Sequence, residues 1–204
     1  MPRTIIDASK PLVPDGSPDG PRTQIFETGD IRQPTVRVSR IEIPGESGTH
    51  VLAPYYLDIN GATVRDIDVA TFLGEGMVIR FKLGAPDGYI GEAEVAEGGS
   101  ALLREGDIAL LANLSTPEMA PTLTVEAAEW IVNRGAKMVG FDEHFNVDMD
   151  GSYETHRVFL EAGVPIIRNL VNLDKCSGGR FAAMALPLSM ERLASSPVRV
   201  LLLD

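Results

Sequence analysis

The stretch KMVGFDEHFNVDMDGSYETHRVFLEAGVPIIRNL, Lys137 to Leu170, reads as strand, helix, strand. KMVGF (137–141) is a short apolar run that reads as a buried strand. SYETHRVFLEA (152–162) has helical spacing, with His156 and Leu160 on one face and Phe159 beside them. Gly163 ends that helix, and VPIIRNL (164–170) is a second strand. Upstream, Thr124 is placed to cap a helix over VEAAEWIVNR, and Gly135 to end it. DIALLANL (107–114), after the turn REGD, is an almost continuous apolar run, the pattern of a central strand covered on both faces. MVIRFKL (77–83) is a strand ended by APDG, and VRVLLLD closes the chain as another. TVRVSRIEI (35–43) alternates as a half-buried strand, with an irregularity expected at Ser39–Arg40. Residues 1–35 read as one short strand at Ile5–Ile6 followed by a long, Pro- and Gly-rich surface loop. A strand-rich first half followed by alternating strands and helices gives an α/β domain, with a mixed sheet and packing helices in a single unit over 1–204.

The bulk composition suits one domain with a substantial core. Of 204 residues, 44% are hydrophobic and 23% charged, which argues against disorder. Net charge is −11, which opposes non-specific nucleic-acid binding and attachment to anionic lipid. Cys176 is the only cysteine, so neither an intrachain disulfide nor a thiolate zinc cluster is expected. MPRTIIDASKPL lacks the apolar core of a secretory signal, and no apolar run reaches the roughly 18 residues of a membrane helix. A soluble, cytoplasmic protein acting on a small molecule is the expectation, with no nucleic-acid or membrane partner.

Chemistry concentrates in GESGTHVLAPYYL, Gly45 to Leu57, which gathers a Glu, a His and two Tyr in a chain with three His. Imidazole suits proton transfer near neutral pH. Phenol, with an ordinary pKa near 10, suits hydrogen-bond donation better than general-base work. No G-x-S-x-G elbow is present. GEGMVIRF has its glycines before a strand rather than a helix, the wrong context for a phosphate loop.

These residues resemble the putative-cyclase family of bacterial kynurenine formamidases and isatin hydrolases, whose signature is H-x-G-T-H-x-D-x-P-x-H. Gly48, Thr49, His50 and Pro54 match it. Glu46, Leu52 and Tyr56 stand where the family has His, Asp and His. IIDASKPL, GATVRDI, REGDIALL, KMVGFD, VPIIRNLVNLD and LPLSMERLASSPVRVLLL resemble further family blocks in the same order. The resemblance implies a swivelling β/β/α fold, assembled as a homodimer or homotetramer. It also implies a two-metal site, in which an Asp and a Glu bridge the ions. The later His of that set corresponds to His156, and the bridging Glu twelve residues on corresponds to Arg168.

Both bridging carboxylates are therefore replaced, by Leu52 and Arg168. Leu52 has no lone pair to give, and a guanidinium stays charged and only donates. A unit charge 4 Å from a divalent ion costs about 8 kcal/mol at an effective dielectric near 20. A favourable structural zinc site gains only roughly 10–16 kcal/mol. No native metal and no cofactor are expected. Glu46 and Arg168, replacing former ligands, are expected to meet as an ion pair.

The candidate catalytic residues are Glu46, His50, Tyr56 and Arg168. His156, Leu52 and Tyr55 are the candidate substrate-contacting residues, Tyr55 at the margin because it alternates with Tyr56. His50 stands open between a satisfied polar group and a proton-transfer group, and His156 between a buried hydrogen-bonded ring and a ligand contact. His144 reads as loop or rim, and Cys176 as an inert thiol. Three functions remain open. The first is a metal-independent enzyme that cyclises, isomerises or rearranges a small organic molecule, a polyketide-type secondary metabolite being one such substrate, by orientation and hydrogen bonding. The second is a metal-dependent amide or lactone hydrolase with rearranged ligands. The third is a non-catalytic homologue kept for ligand binding or assembly.

Overall fold

The apolar run after Asp107 forms β7 (Ile108–Asn113), and its residues from Ile108 to Ala112 are all buried. A strand reads as continuously apolar when both of its faces are covered. Its neighbours β5 (Leu73–Phe81) and β9 (Met138–Asp142) pair parallel with it, and β10 (Ile166–Leu170) pairs parallel with β9. The structure, a computed structural model, describes residues 4–14, 20–28, 36–82, 88–98, 102–115, 120–146, 151–177 and 179–203.

On the other side of β5, β11 (Phe181–Pro187) and β12 (Ser195–Leu203) pair antiparallel, and β1 (Ile5–Asp7) joins β12. The three-residue strand β4 (His50–Leu52) pairs antiparallel with both β10 and β12. That double pairing closes the sheet into a barrel-like surface. One set of alternating side chains fills its interior, among them Val51, Val78, Leu110, Met138, Ile167 and Leu202. The other set, including Leu52, Ile79, Leu111, Phe141 and Ile166, packs under the helices.

Those helices are α1 (Glu92–Glu97), α2 (Val125–Asn133) and α3 (Glu154–Glu161). Thr124 Oγ1 accepts a hydrogen bond from Ala127 N at 3.3 Å, the cap expected for α2, and Gly135 follows at φ +81°. α2 and α3 bury Ala127, Ala128, Ile131, Phe159 and Leu160 against the sheet. No helix of the described residues is long and apolar enough to cross a membrane.

The N-terminal region departs from expectation. β2 (Arg22–Thr28) occupies part of the anticipated loop and pairs in an unbroken antiparallel register with β3 (Val36–Glu42). The pairing passes through Ser39–Arg40 without a bulge. Nor is β3 half-buried: Val38 and Ile41 are exposed, because β2 is its only strand partner among the described residues. With no bulge to re-phase the strand, Val38 and Ile41 fall on opposite faces, so β3 has no single apolar face to bury. Helix α1 and the two-residue pair β6 (Tyr89–Ile90) with β8 (Thr122–Leu123) add to the expected elements. Parts of the expected loop (15–19 and 29–35) and most of the APDG turn lie outside the described residues.

Candidate functional site

The closure of the sheet builds the site. In the β4–β10 pair His50 stands directly opposite Arg168, and Leu52 opposite Ile166. Opposed residues of an antiparallel pair share a face, so His50, Leu52 and Arg168 emerge together on the helix side of the sheet. Helix α3 lays His156 over them. Arg168 Nη1 lies 3.1 Å from His156 Nε2. A guanidinium has only protons to give, so Nε2 is the acceptor and the imidazole proton sits on Nδ1.

After β4 the chain turns at Pro54–Tyr56 in a 3₁₀ turn, which sends Tyr56 back toward the same space. Its hydroxyl donates to Glu46 Oε2 at 3.4 Å, a long contact. Tyr56, Tyr153 and His156 form a ring cluster, with Tyr153 edge-on to both others at centroid separations of 6.3 and 5.5 Å. A cavity of about 390 Å³ is lined by Glu46, His50, Leu52, Tyr56, Tyr153, His156 and Arg168, together with Asn146, Gly151 and Asn169.

His50 is buried. Its Nδ1 lies 2.9 Å from the Gly48 carbonyl, which can only accept, so Nδ1 carries the proton and Nε2 keeps its lone pair. Burial pushes the His50 pKa below its ordinary 6.5 and outweighs the Gly48 carbonyl and the Glu46 charge, both of which favour the charged ring. Burial, the Glu46 carboxylate and Tyr153 push Tyr56 up to about 12, so its phenol stays protonated at neutral pH. The site thus offers the His50 imidazole as an acceptor, the Tyr56 phenol as a donor and the Arg168 guanidinium, with Glu46, Tyr153 and His156 around them.

Six of the seven expected residues meet here: Glu46, His50, Leu52, Tyr56, His156 and Arg168. Tyr55 does not line the cavity, because residues 54–56 form a 3₁₀ turn rather than the strand that would have set its direction. The expected Glu46–Arg168 ion pair does not form; Glu46 accepts from Tyr56 and Arg168 donates to His156. Sequence reading missed Asn146, Gly151, Tyr153 and Asn169. Gly151, Tyr153 and Asn169 have a positive φ (72°, 58° and 58°), which places them where periodicity predicts nothing. The only available signal was the residue type, since Asn tolerates that region more readily than most.

The donors among the described residues do not fit a dinuclear metal centre. Among the described residues no group of three or more His, Cys, Asp or Glu could hold an ion. Leu52 offers no lone pair, and the Nε2 lone pair that His156 would offer is occupied by an arginine proton.

Residues 6–148 match the model of the family described as "Putative cyclase". A kynurenine formamidase of Bacillus thuringiensis subsp. konkukian is 28% identical over 206 residues, covering 97% of this chain and 96% of its own. One from Bacillus cytotoxicus is 27% identical over 209 residues, with the same coverage. Among solved structures, isatin hydrolase A from Labrenzia aggregata, bound to benzyl benzoate, superposes with a TM-score of 0.82 at 22% identity, over 98% of this chain and 93% of that one. A predicted metal-dependent hydrolase from Bacillus stearothermophilus superposes at 0.77 and 24% identity over the full length of both. The structural likenesses establish a cyclase-type α/β fold with a closed mixed sheet. The chain belongs to the putative-cyclase family.

Proposed function

We propose that this chain is a metal-independent enzyme that cyclises, isomerises or rearranges a small organic molecule, a polyketide-type secondary metabolite among the candidates. One observation carries the reading: Arg168 stands across from His50 and donates to His156 Nε2, where the resemblance puts a bridging carboxylate and a metal-binding nitrogen. A substrate with an acidic C–H beside a carbonyl suits the groups present. His50 Nε2 accepts the proton as the C–H bond breaks. The carbonyl oxygen, gaining charge, takes hydrogen bonds from the Tyr56 hydroxyl and the Arg168 guanidinium. The proton then returns at another carbon in an isomerisation; in a cyclisation the enolate carbon adds to a second carbonyl carbon of the same substrate, the π bond of that carbonyl breaks, and its oxygen takes the proton back from His50. The long Tyr56–Glu46 contact leaves the phenol proton free to turn to the substrate oxygen. Preorganised donors of this kind contribute on the order of a hundredfold each.

The likeness to kynurenine formamidases favours a second reading, a metal-dependent amide hydrolase with rearranged ligands. Elemental analysis of the purified protein, with calorimetric titration of zinc and manganese, separates the two. The first reading expects substoichiometric metal and no saturable binding. Two ions per chain, with hydrolysis of a kynurenine formamide abolished by chelation, would overturn it.

A further inference from the structure

In a regular strand consecutive side chains point to opposite faces, yet Arg168 and Asn169 both line the cavity. The cause is an irregularity in β10. Its register against β9 shifts between Ile167 and Leu170, and Asn169 sits at φ +58° inside the shift. Bulges of this kind re-aim side chains and recur beside functional sites. Here the re-aimed side chain meets the His50 loop. Asn169 Nδ2 donates at 3.0 Å to the Gly48 carbonyl, the same oxygen that accepts from His50 Nδ1. Gly48 is itself at φ +59°, and a Cβ there would come within 2.7 Å of Leu12 Cδ2, so its peptide is set in an orientation open to few residues. The main chain of Asn169 contributes a second tie: its carbonyl accepts from Thr49 Oγ1 at 2.6 Å.

We propose that Asn169 is a positioning residue: its amide pins the Gly48 carbonyl toward His50 Nδ1, which locks the imidazole proton on Nδ1 and presents the Nε2 lone pair to the cavity. This rests on the reading of His50 as the proton acceptor. A group that fixes the orientation and tautomer of a catalytic imidazole through its far nitrogen is a recurrent device. In this chain the far nitrogen meets a carbonyl, and Asn169 orients that carbonyl.

The test needs no substrate. Long-range ¹H–¹⁵N spectra of ¹⁵N-histidine-labelled protein report the proton position on each ring, with His50→Gln assigning the signals. Wild type is expected to show His50 with a protonated Nδ1 and a bare Nε2. Asn169→Gly keeps the left-handed backbone and the Thr49 contact and removes only the amide; its two ring-nitrogen shifts should converge, with the Nδ1–H population falling at least about twofold. Asn169→Asp, which presents an acceptor to an acceptor, should do the same and serves if the glycine variant folds poorly. Thr49→Val loosens the same strand pair without touching the amide; it should lower Tm and keep the tautomer. Unchanged tautomers in both Asn169 variants, or an equal loss in Thr49→Val, overturn this inference while leaving the acceptor role of His50 intact. A wild-type His50 protonated on Nε2 overturns both.

Discussion

His50 shows how burial and one carbonyl set the chemistry of a ring. Its pKa is lowered, so between that value and 6.5 the unfolded chain binds more protons than the native one. The stability that the neutral buried ring contributes above pH 6.5 is therefore lost as pH falls toward the native pKa. An NMR titration should place the His50 midpoint below 6.5, and His50→Gln should flatten that part of the stability–pH curve. Arg168 and Leu52 make a sharper test. Arg168→Glu combined with Leu52→Asp removes one cation and adds two anions around His50 and His156. Saturable zinc binding, which the metal-independent reading does not expect of the wild type, should appear in calorimetry, a gain in affinity on the order of a hundredfold or more. The cost is stability, since Leu52 is 2% exposed and a carboxylate there lacks its packing. No gain in affinity would mean that the guanidinium is not what blocks the metal.

Elements owe their boundaries to local chemistry, and their places in the sheet to long-range ties. The REGD turn shows both. Gly106 takes φ +80°, and Asp107 Oδ2 accepts from Arg104 N at 2.9 Å, which closes the turn before β7. Asp107 also receives both guanidinium nitrogens of Arg180, at 2.9 and 2.7 Å, which ties the start of β7 to the start of β11. Burial is the largest single influence on the Asp107 carboxyl and would raise it, but the Arg180 hydrogen bonds, the Arg104 N–H and the two arginine charges together outweigh it and the net shift is downward. A carboxyl lowered in the native state contributes stability above its unfolded pKa, near 3.9, and loses it as pH falls through the native value. Asp107→Asn should cost about 2 kcal/mol at pH 7 in chemical denaturation, and the deficit should shrink below pH 4. A deficit constant with pH would show that packing, not charge, is at stake.

For the molecule as a whole, closure by β4 creates the site: three residues bridge β10 and β12 and bring His50 to face Arg168. The β2–β3 hairpin, by contrast, has no strand partner beyond itself among the described residues, and its exposed Val38 and Ile41 leave apolar surface uncovered. The homodimer or homotetramer that the resemblance implies remains a proposal, and this hairpin is where it is best tested. Light scattering should give a mass at least twice 22.0 kDa, and Val38→Glu with Ile41→Glu should shift it toward one chain. A wild-type monomer at micromolar concentration would refute the assembly.

Most of the central strands and both longer helices were legible in the sequence, because their signals are local: the unbroken apolar run of β7, the Thr124 cap, the 3.6-residue spacing of α3. The α/β class and the family resemblance followed from residue identity alone, and on that resemblance Leu52 and Arg168 stand where two bridging carboxylates are expected. Only the tertiary structure decided who meets whom. It sent Arg168 to His156 rather than Glu46, turned Tyr55 away at a 3₁₀ turn, and brought Tyr153 and Asn169 into the cavity from left-handed backbone positions. Periodicity describes regular backbone, and these partnerships arise where the backbone is irregular or where strands distant in sequence close the sheet.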